Sequence, residues 1–311
     1  MRVFVTGSSS GLAAALLPRL CASEAVSAVV GLDLRPTAFQ HPKFECRQGD
    51  MCAPGLEQAM QGCQAVVHAG YAVMQRELSN AQLYANNVGG ALQVFKAARA
   101  VGAVRTINIS SVSVYGSGEN LDENAPLKPS PLFTYARHKA RIERLTRADF
   151  PEVVHLRAHL IFGPHSQPFL RQMCQAWFCI MPPAPVARLQ VVHEDDVADA
   201  VCRCLMSRDV HGTFNLAASE VVTLPALVRH GRRGVVPLPL AWVQRLVRVA
   251  RLLGHRDEYT WLDVMGTTLT VQCQRAEQLL GWRATRTPWQ AVDDTRRWAV
   301  VPAVTFEGKH P

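Results

Sequence analysis

The sequence predicts an α/β fold: a doubly wound parallel sheet with helices on both faces and a smaller C-terminal cap. Three observations lead there. Short β-branched runs, among them VVGLD (29–33), AVVHA (65–69) and TINIS (106–110), carry no polar alternation. Strands covered on both faces read this way. Longer segments with helical spacing stand between them, and strand–helix repetition gives parallel sheets with right-handed crossovers. After Ile161 the rhythm loosens into chain rich in Pro, Phe, Met and Trp, as expected of insertions returning to one face of the sheet.

In chain order, strands are expected at Arg2–Thr6, Ala28–Asp33, Ala65–Ala69, Thr106–Ser110 and Val153–Arg157. Helices are expected at Leu12–Ala22, Leu56–Met60, Asn86–Ala100 and Tyr135–Ala148, where apolar residues recur at three- and four-residue intervals. Farther on, VVHEDDVADAVCRCL (191–205) reads as a strand entering a helix and GTFNLA (212–217) as another strand. The remainder holds an Arg-striped amphipathic stretch at 239–254 and a late helix at Arg275–Leu280. Residues 1–160, completed by about 188–217, are therefore expected to form the main parallel-sheet domain. Residues 161–187 and 218–311 are expected to form the substrate-binding cap.

Composition narrows the function classes. At 311 residues and 48% hydrophobic, the chain buries a large core without needing a disulfide or metal staple. Its net charge of +8 comes from dispersed arginines with no dense basic run, which argues against a nucleic-acid footprint and favours anionic small-molecule substrates. Nine scattered cysteines without any CxxC point to reduced thiols, a cytoplasmic setting and no metal site. No apolar run reaches the ~18 residues of a membrane span. The stripe Arg245, Arg248, Arg251 reads as the solvated face of a cap helix, not as a membrane anchor.

The first motif follows the first strand: Thr6-Gly7-Ser8-Ser9-Ser10-Gly11-Leu12-Ala13. A tight strand-to-helix turn of small residues lets a pyrophosphate approach backbone N–H groups at a helix start, the Rossmann arrangement. Counting from Gly7, Ser10 and Ala13 stand at the second and third small positions. Gly7, Ser9, Ser10, Gly11 and Leu12 are its candidate cofactor contacts. Asp33 ends the second strand, where a carboxylate grips adenosine ribose hydroxyls and repels a 2′-phosphate. NAD is the expected cofactor, with Arg35 two residues on leaving NADP open.

The second motif is split. Ser111 follows a strand, at the carboxyl edge where α/β ligands bind. Tyr135 and Lys139 stand four apart on one helix face, which brings phenol and ammonium together. An adjacent cation stabilises a phenolate and is expected to draw the tyrosine towards working pH. Ser111 would bind the substrate oxygen that Tyr135 protonates or deprotonates.

With these pieces in order, the chain resembles the extended short-chain dehydrogenases/reductases, the group holding NAD-dependent sugar epimerases and dehydratases. The likeness runs through TGSSSGLA, Asp33, Gly49-Asp50, VVHAG (66–70), Asn87-Val88-Gly89, ISSVSVYG, YARHK, LRAHLIFGP (156–164), VHEDDVADAV and GTFNLA. It implies Ser111, Tyr135 and Lys139 as catalytic residues, with Asp50 and Met51 by the adenine. It also implies His68, Ala69 and Gly70 along the pyrophosphate and nicotinamide ribose, and Asn87 beneath the active site. Asp195 and Asp196 are expected to cap a helix. A homodimer through the helices at 86–100 and 135–148 is implied as well.

Departures from the family pattern limit the specific activity. Val112 and Ser113 stand where the 4,6-dehydratases carry an acidic pair, which argues against sugar-nucleotide dehydration. Leu189 stands where nucleotide-sugar epimerases place a diphosphate-binding arginine, with Arg188 one residue away. Phe169, Met173, Trp177, Phe178 and Met181 are expected to supply core packing or an apolar substrate lining. The leading expectation is an NAD(P)-dependent oxidoreductase acting on a secondary alcohol or ketone. A sugar or nucleotide-sugar epimerase with transient oxidation is the alternative. A non-catalytic dinucleotide sensor is a third class, disfavoured by the intact Tyr/Lys pair.

Overall fold

A computed structural model describes residues 1–73, 78–175, 178–181, 186–207, 209–230, 234–239 and 266–299, with four isolated positions between 241 and 249. The first part runs β1 (Arg2–Thr6), α1 (Gly11–Ala22), β2 (Ala28–Asp33), β3 (Phe44–Gln48), α2 (Leu56–Ala59) and β4 (Ala65–His68). It continues through α3 (Asn80–Tyr84), a π-helical turn (Ala85–Gly89), α4 (Gly90–Ala100), β5 (Arg105–Ser111) and a 3-10 turn (Val112–Tyr115). Then come β6 (Gly118–Leu121), α5 (Thr134–Asp149), β7 (Val153–Ala158), β8 (Leu160–Phe162), α6 (Pro168–Gln175) and β9 (Phe178–Met181). The later chain adds β10 (Arg188–Leu189), β11 (Val191–His193), α7 (Glu194–Met206), β12 (Thr213–Leu216), β13 (Val222–Thr223) and α8 (Leu224–His230). It closes with β14 (Gly234–Pro237), β15 (Leu269–Val271), α9 (Gln274–Leu280) and α10 (Pro288–Ala299).

Seven strands make one parallel sheet in the order β12-β7-β5-β4-β1-β2-β3. The chain winds from β1 outward through β2 and β3, then crosses back to β4 and winds the other way. The crevice between the carboxyl ends of β1 and β4 is therefore the topological switch point, where open α/β sheets bind ligands. The Rossmann-type fold expected from sequence is the fold found.

The sheet has two covered faces, which explains its unbroken apolar strands. In β1, Val3 and Val5 point to the face packed by α1 and α7, while Phe4 points to the face packed by α4 and α5. In β4, Ala65 and Val67 take the first face and Val66 the second. Each fully buried Val or Phe contributes about 1.5–3 kcal/mol of hydrophobic stabilisation.

Three local outcomes differ from the sequence expectation. β3 had no signal, because Phe-Glu-Cys-Arg-Gln is the edge strand, largely exposed and without β-branched residues. The helix expected from Asn86 begins at Asn80 and passes through the π turn, so its register slips by a residue around Asn87. The cap of α7 is His193, whose Nδ1 accepts from Asp195 N. Asp196 instead accepts from Thr285 N, Thr285 Oγ1 and Arg286 N, tying the segment before α10 to α7.

Among the described residues no helix is long and apolar enough to cross a membrane, and no group of His, Cys, Asp and Glu is arranged to hold a metal. Of the expected apolar lining, Trp177 and the side chains of Phe169, Met173, Phe178 and Met181 lie outside the described residues, as do Arg248 and Arg251.

Candidate active site

The turn after β1 is built from backbone. Gly7 sits at φ +72°, a conformation side chains rarely adopt, and its N–H donates to the Leu32 carbonyl at 2.8 Å. A Cβ there would lie 2.5 Å from Gly70 N, so glycine is what lets β1 and β4 end side by side. Thr6 pins this crossing: its hydroxyl accepts from Gly70 N at 3.3 Å and meets His68 Nδ1 at 2.8 Å, and its carbonyl accepts from Ala69 N. Burial, together with nearby Lys139, lowers His68 to about 3, so the ring is neutral.

Ser10 caps α1, its hydroxyl accepting from Ala13 N at 3.3 Å. The amides of Gly11 and Leu12, like those of any helix start, have no intrahelical partner and form the positive end of the helix dipole. Ser9 N donates to Asp33 Oδ2 at 3.0 Å and Arg35 N to Oδ1 at 3.1 Å, which aims the carboxylate at the turn. Asp50 is exposed and accepts from Cys52 N, while Met51 Sδ would lie 3.4 Å from a Cβ at Gly70.

The first loop beyond β8 also reaches this turn, a link without a sequence signal. A Cβ on Gly11 would fall on the His165 carbonyl. His165 is held by the buried Glu194, with Nδ1 at 2.7 Å from Oε1 and its backbone N–H donating to Oε2 at 2.9 Å. That hydrogen bond raises the imidazole above its ordinary range.

Ser111 ends β5 beside the switch point. Its Oγ accepts from Ser113 Oγ at 2.9 Å and from Ser113 N at 3.2 Å, which leaves the Ser111 proton to be donated to Tyr135. Tyr135 is half-buried at the start of α5, and burial pushes its phenol up to about 12, offset in part by the Ser111 hydroxyl. Lys139 is 3% exposed; burial lowers it to about 7, with Glu143 acting in the opposite sense. The lowered tyrosine expected from the spacing is therefore not found. The Lys139 ammonium donates to the Ile109 carbonyl at 2.7 Å and lies 5.8 Å from the Tyr135 ring centroid.

One helical turn beyond Lys139 lies a buried charge pair that sequence reasoning passed over. Glu143 receives Arg157 Nε at 3.1 Å, Arg157 Nη2 at 2.5 Å and the Ser110 hydroxyl. Arg157 also donates to Tyr115 Oη, which donates to Asn215 Oδ1 at 2.8 Å. Burial pushes the Glu143 carboxyl up, but the Arg157 guanidinium and the Ser110 hydroxyl outweigh it and hold it below its usual range. The signals were present: Tyr135, Lys139 and Glu143 repeat every four residues, and an arginine inside VVHLRA demands a partner.

Asn87 sits in the π turn, a distortion common at functional sites. Its Oδ1 accepts from Ala72 N at 2.8 Å and its Nδ2 donates to the Ala72 carbonyl at 3.1 Å. This two-point clamp fixes the chain leaving β4. Ser111, Tyr135, Lys139, Asn87 and the Gly7–Leu12 turn thus gather around the carboxyl ends of β1, β4 and β5.

A family model described as the NAD dependent epimerase/dehydratase family matches residues 3–217. The chain belongs to this family. Among its relatives, an uncharacterised protein of Mycobacterium tuberculosis (strain ATCC 25618 / H37Rv) is 27% identical over 320 residues, covering 94% of this chain and 82% of the relative. Another, of Sinorhizobium fredii, is 24% identical over 287 residues, covering 86% and 71%. Among solved structures, MoeE5 in complex with UDP-glucuronic acid and NAD superposes with a TM-score of 0.78 at 20% identity, covering 96% of this chain and 98% of that one. UDP-glucuronic acid 4-epimerase from Bacillus cereus in complex with NAD gives 0.75 at 17%, with the same coverage. At these identities the family's fold is what the superpositions share with this chain.

Proposed function

We propose that the protein is an NAD-dependent enzyme in which Tyr135 exchanges a proton with the oxygen of a secondary alcohol or ketone. The residues present suit NAD: Gly7, Ser9, Ser10, Gly11 and Leu12 offer a helix start to a pyrophosphate, and Asp33 offers a carboxylate to the ribose. Asp50 and Met51 flank the adenine side, while His68, Ala69, Gly70 and Asn87 shape the floor between turn and catalytic helix. A bound nicotinamide supplies the hydride acceptor and donor. The observation that carries the reading is the convergence of Ser111, Tyr135 and Lys139 beside the switch point, with Ser113 donating to Ser111 and Ser111 meeting the Tyr135 phenol.

Ser111 holds the substrate oxygen, Tyr135 gives or takes its proton, and Lys139 supplies the positive charge that favours the phenolate. The described residues of 161–187 and 218–299 are assigned to the substrate side. One observation supports a substrate without a diphosphate, and a second speaks against dehydration. Leu189 is buried in the small core beside β11, and Arg188 is exposed and paired with Glu119 at 2.8 Å. Val112, buried, and Ser113, bonded to Ser111, leave no carboxylate for dehydration at those positions.

A second reading, epimerisation with return of the hydride to the opposite face, is favoured by the likeness to solved NAD-bound epimerases. The test is incubation with NAD⁺ and a panel of secondary alcohols, free sugars and sugar nucleotides, following NADH absorbance and product stereochemistry together. Net NADH with one class establishes the oxidoreductase; inversion without net NADH establishes the epimerase. Tyr135→Phe is expected to lower turnover by about 10²–10⁴-fold, the usual worth of a general acid–base, with NAD affinity retained. Wild-type turnover in that variant would sink the mechanism.

A further inference from the structure

The chain leaving β4 carries Tyr71, a residue to which no role has been given above. Its ring lies under the Lys139 ammonium, with Nζ 4.2 Å from the ring centroid, closer than the 5.8 Å to Tyr135. The Tyr71 and Tyr135 rings meet nearly edge to face, centroids 5.0 Å apart at 75°. The Tyr71 hydroxyl donates to the Tyr135 backbone carbonyl at 3.3 Å. The Asn87 clamp on Ala72 fixes the backbone directly after it.

We propose that Tyr71 is a positioning residue of the site, whose ring face binds the Lys139 ammonium and holds it beside Tyr135. The inference rests on the reading of Tyr135 and Lys139 as the acid–base pair. An ammonium buried to 3% exposure needs replacements for lost water, and the Ile109 carbonyl satisfies only one of its three donors. A ring face beneath a desolvated cation is where the cation–π attraction is strongest.

The other groups around Lys139 do not replace it. On α5, Glu143 attracts the ammonium, but its carboxylate is already held by Arg157 from β7 and by Ser110 from β5. His68 on β4 and His155 on β7 are both neutral, with midpoints of about 3 and about 4. Tyr135 presents its ring at the longer distance, and the Tyr71 phenol is itself pushed upward by burial. Burial disfavours the charged form of Lys139, so an attraction from the ring face acts directly against that loss.

The test is a side-chain NMR titration of ¹³C-lysine protein, which has five lysines, with Lys139 assigned from the spectrum of Lys139→Arg. Tyr71→Phe keeps the ring and is expected to leave the Lys139 midpoint in place. Tyr71→Leu removes the ring and is expected to lower the midpoint by about one pH unit, the scale of a buried cation–π contact. Should the leucine variant not fold, phenylalanine of increasing ring fluorination at position 71 keeps the shape while weakening the π face. The midpoint should then fall stepwise, which a merely space-filling ring would not produce. A midpoint unmoved by Tyr71→Leu or by fluorination, or lowered equally by Tyr71→Phe, overturns the inference. The titration needs no substrate, so its failure is distinct from full turnover by Tyr135→Phe, which would overturn the acid–base reading instead.

Discussion

Where β1 and β2 end, the site is made of backbone: Gly7 crosses Gly70, Ser10 caps α1, and Asp33 is aimed by two amides. Where β5 meets α5 it is made of side chains: Ser111 and Tyr135 half-buried at the crevice, with Lys139, Glu143 and Arg157 buried in the low-dielectric interior behind them. The first half depends on small residues at fixed spacing and on conformations only glycine adopts readily. The second depends on charges balanced against burial, so each group's state is set by neighbours distant in sequence. Tyr135 illustrates this, since burial lifts the same phenol that the cation four residues on was expected to lower.

Breaking the side-chain half should have the largest effect on stability. Arg157→Met leaves the Glu143 carboxylate buried without its partner and is expected to cost about 3–5 kcal/mol in denaturant unfolding. The double variant Arg157→Met/Glu143→Met should recover much of that loss; an unaffected single variant would show that the pair is not held as described.

In the backbone half, Gly7→Ala meets both a positive φ and the Gly70 backbone. A loss of about 1–3 kcal/mol is expected, along with weakened NAD binding by calorimetry, while the Lys139 titration stays unchanged. A shifted Lys139 midpoint would mean that the two halves are coupled through the turn.

Acid should probe both halves at once. His68, His155 and His159 are buried with midpoints of about 3, 4 and 4, against an ordinary 6.5. Between those values the unfolded chain binds more protons than the folded one, so stability is fully present above pH 6.5 and is lost as pH falls towards 4. Urea melts from pH 7.5 to 4.5 should show the decline. His68→Gln should lessen the slope by one proton, and an unchanged slope would place that histidine's titration elsewhere.

The smallest effect is expected at Ser113. Ser113→Ala removes one hydroxyl from Ser111 and should lower kcat by about 2–10-fold, the worth of a single hydrogen bond of about 0.5–1.5 kcal/mol. NAD affinity should not change; loss of NAD binding would assign Ser113 to the cofactor half.

Much of the backbone half was legible in sequence. Gly7, Ser10 and Asp33 are spaced along one stretch of chain, and their roles depend on local geometry that such spacing encodes. Ser111, Tyr135 and Lys139 were legible as a set because helix periodicity and the sheet's carboxyl edge bring them together. Tyr71 was not. It follows a strand without any periodic signal, and its contact with Lys139 spans 68 positions. The link between His165 and the start of α1 was hidden for the same reason.

The sequence by itself determined the alternation of strand and helix, the two-faced apolar strands and the tight turn, because these arise from residue periodicity and local backbone preference. Only the tertiary structure decided which charges are paired, which amides face the crevice and how far each buried group departs from its ordinary proton affinity. Those quantities depend on desolvation and on distances between segments that meet only when the sheet has closed around β1 and β4.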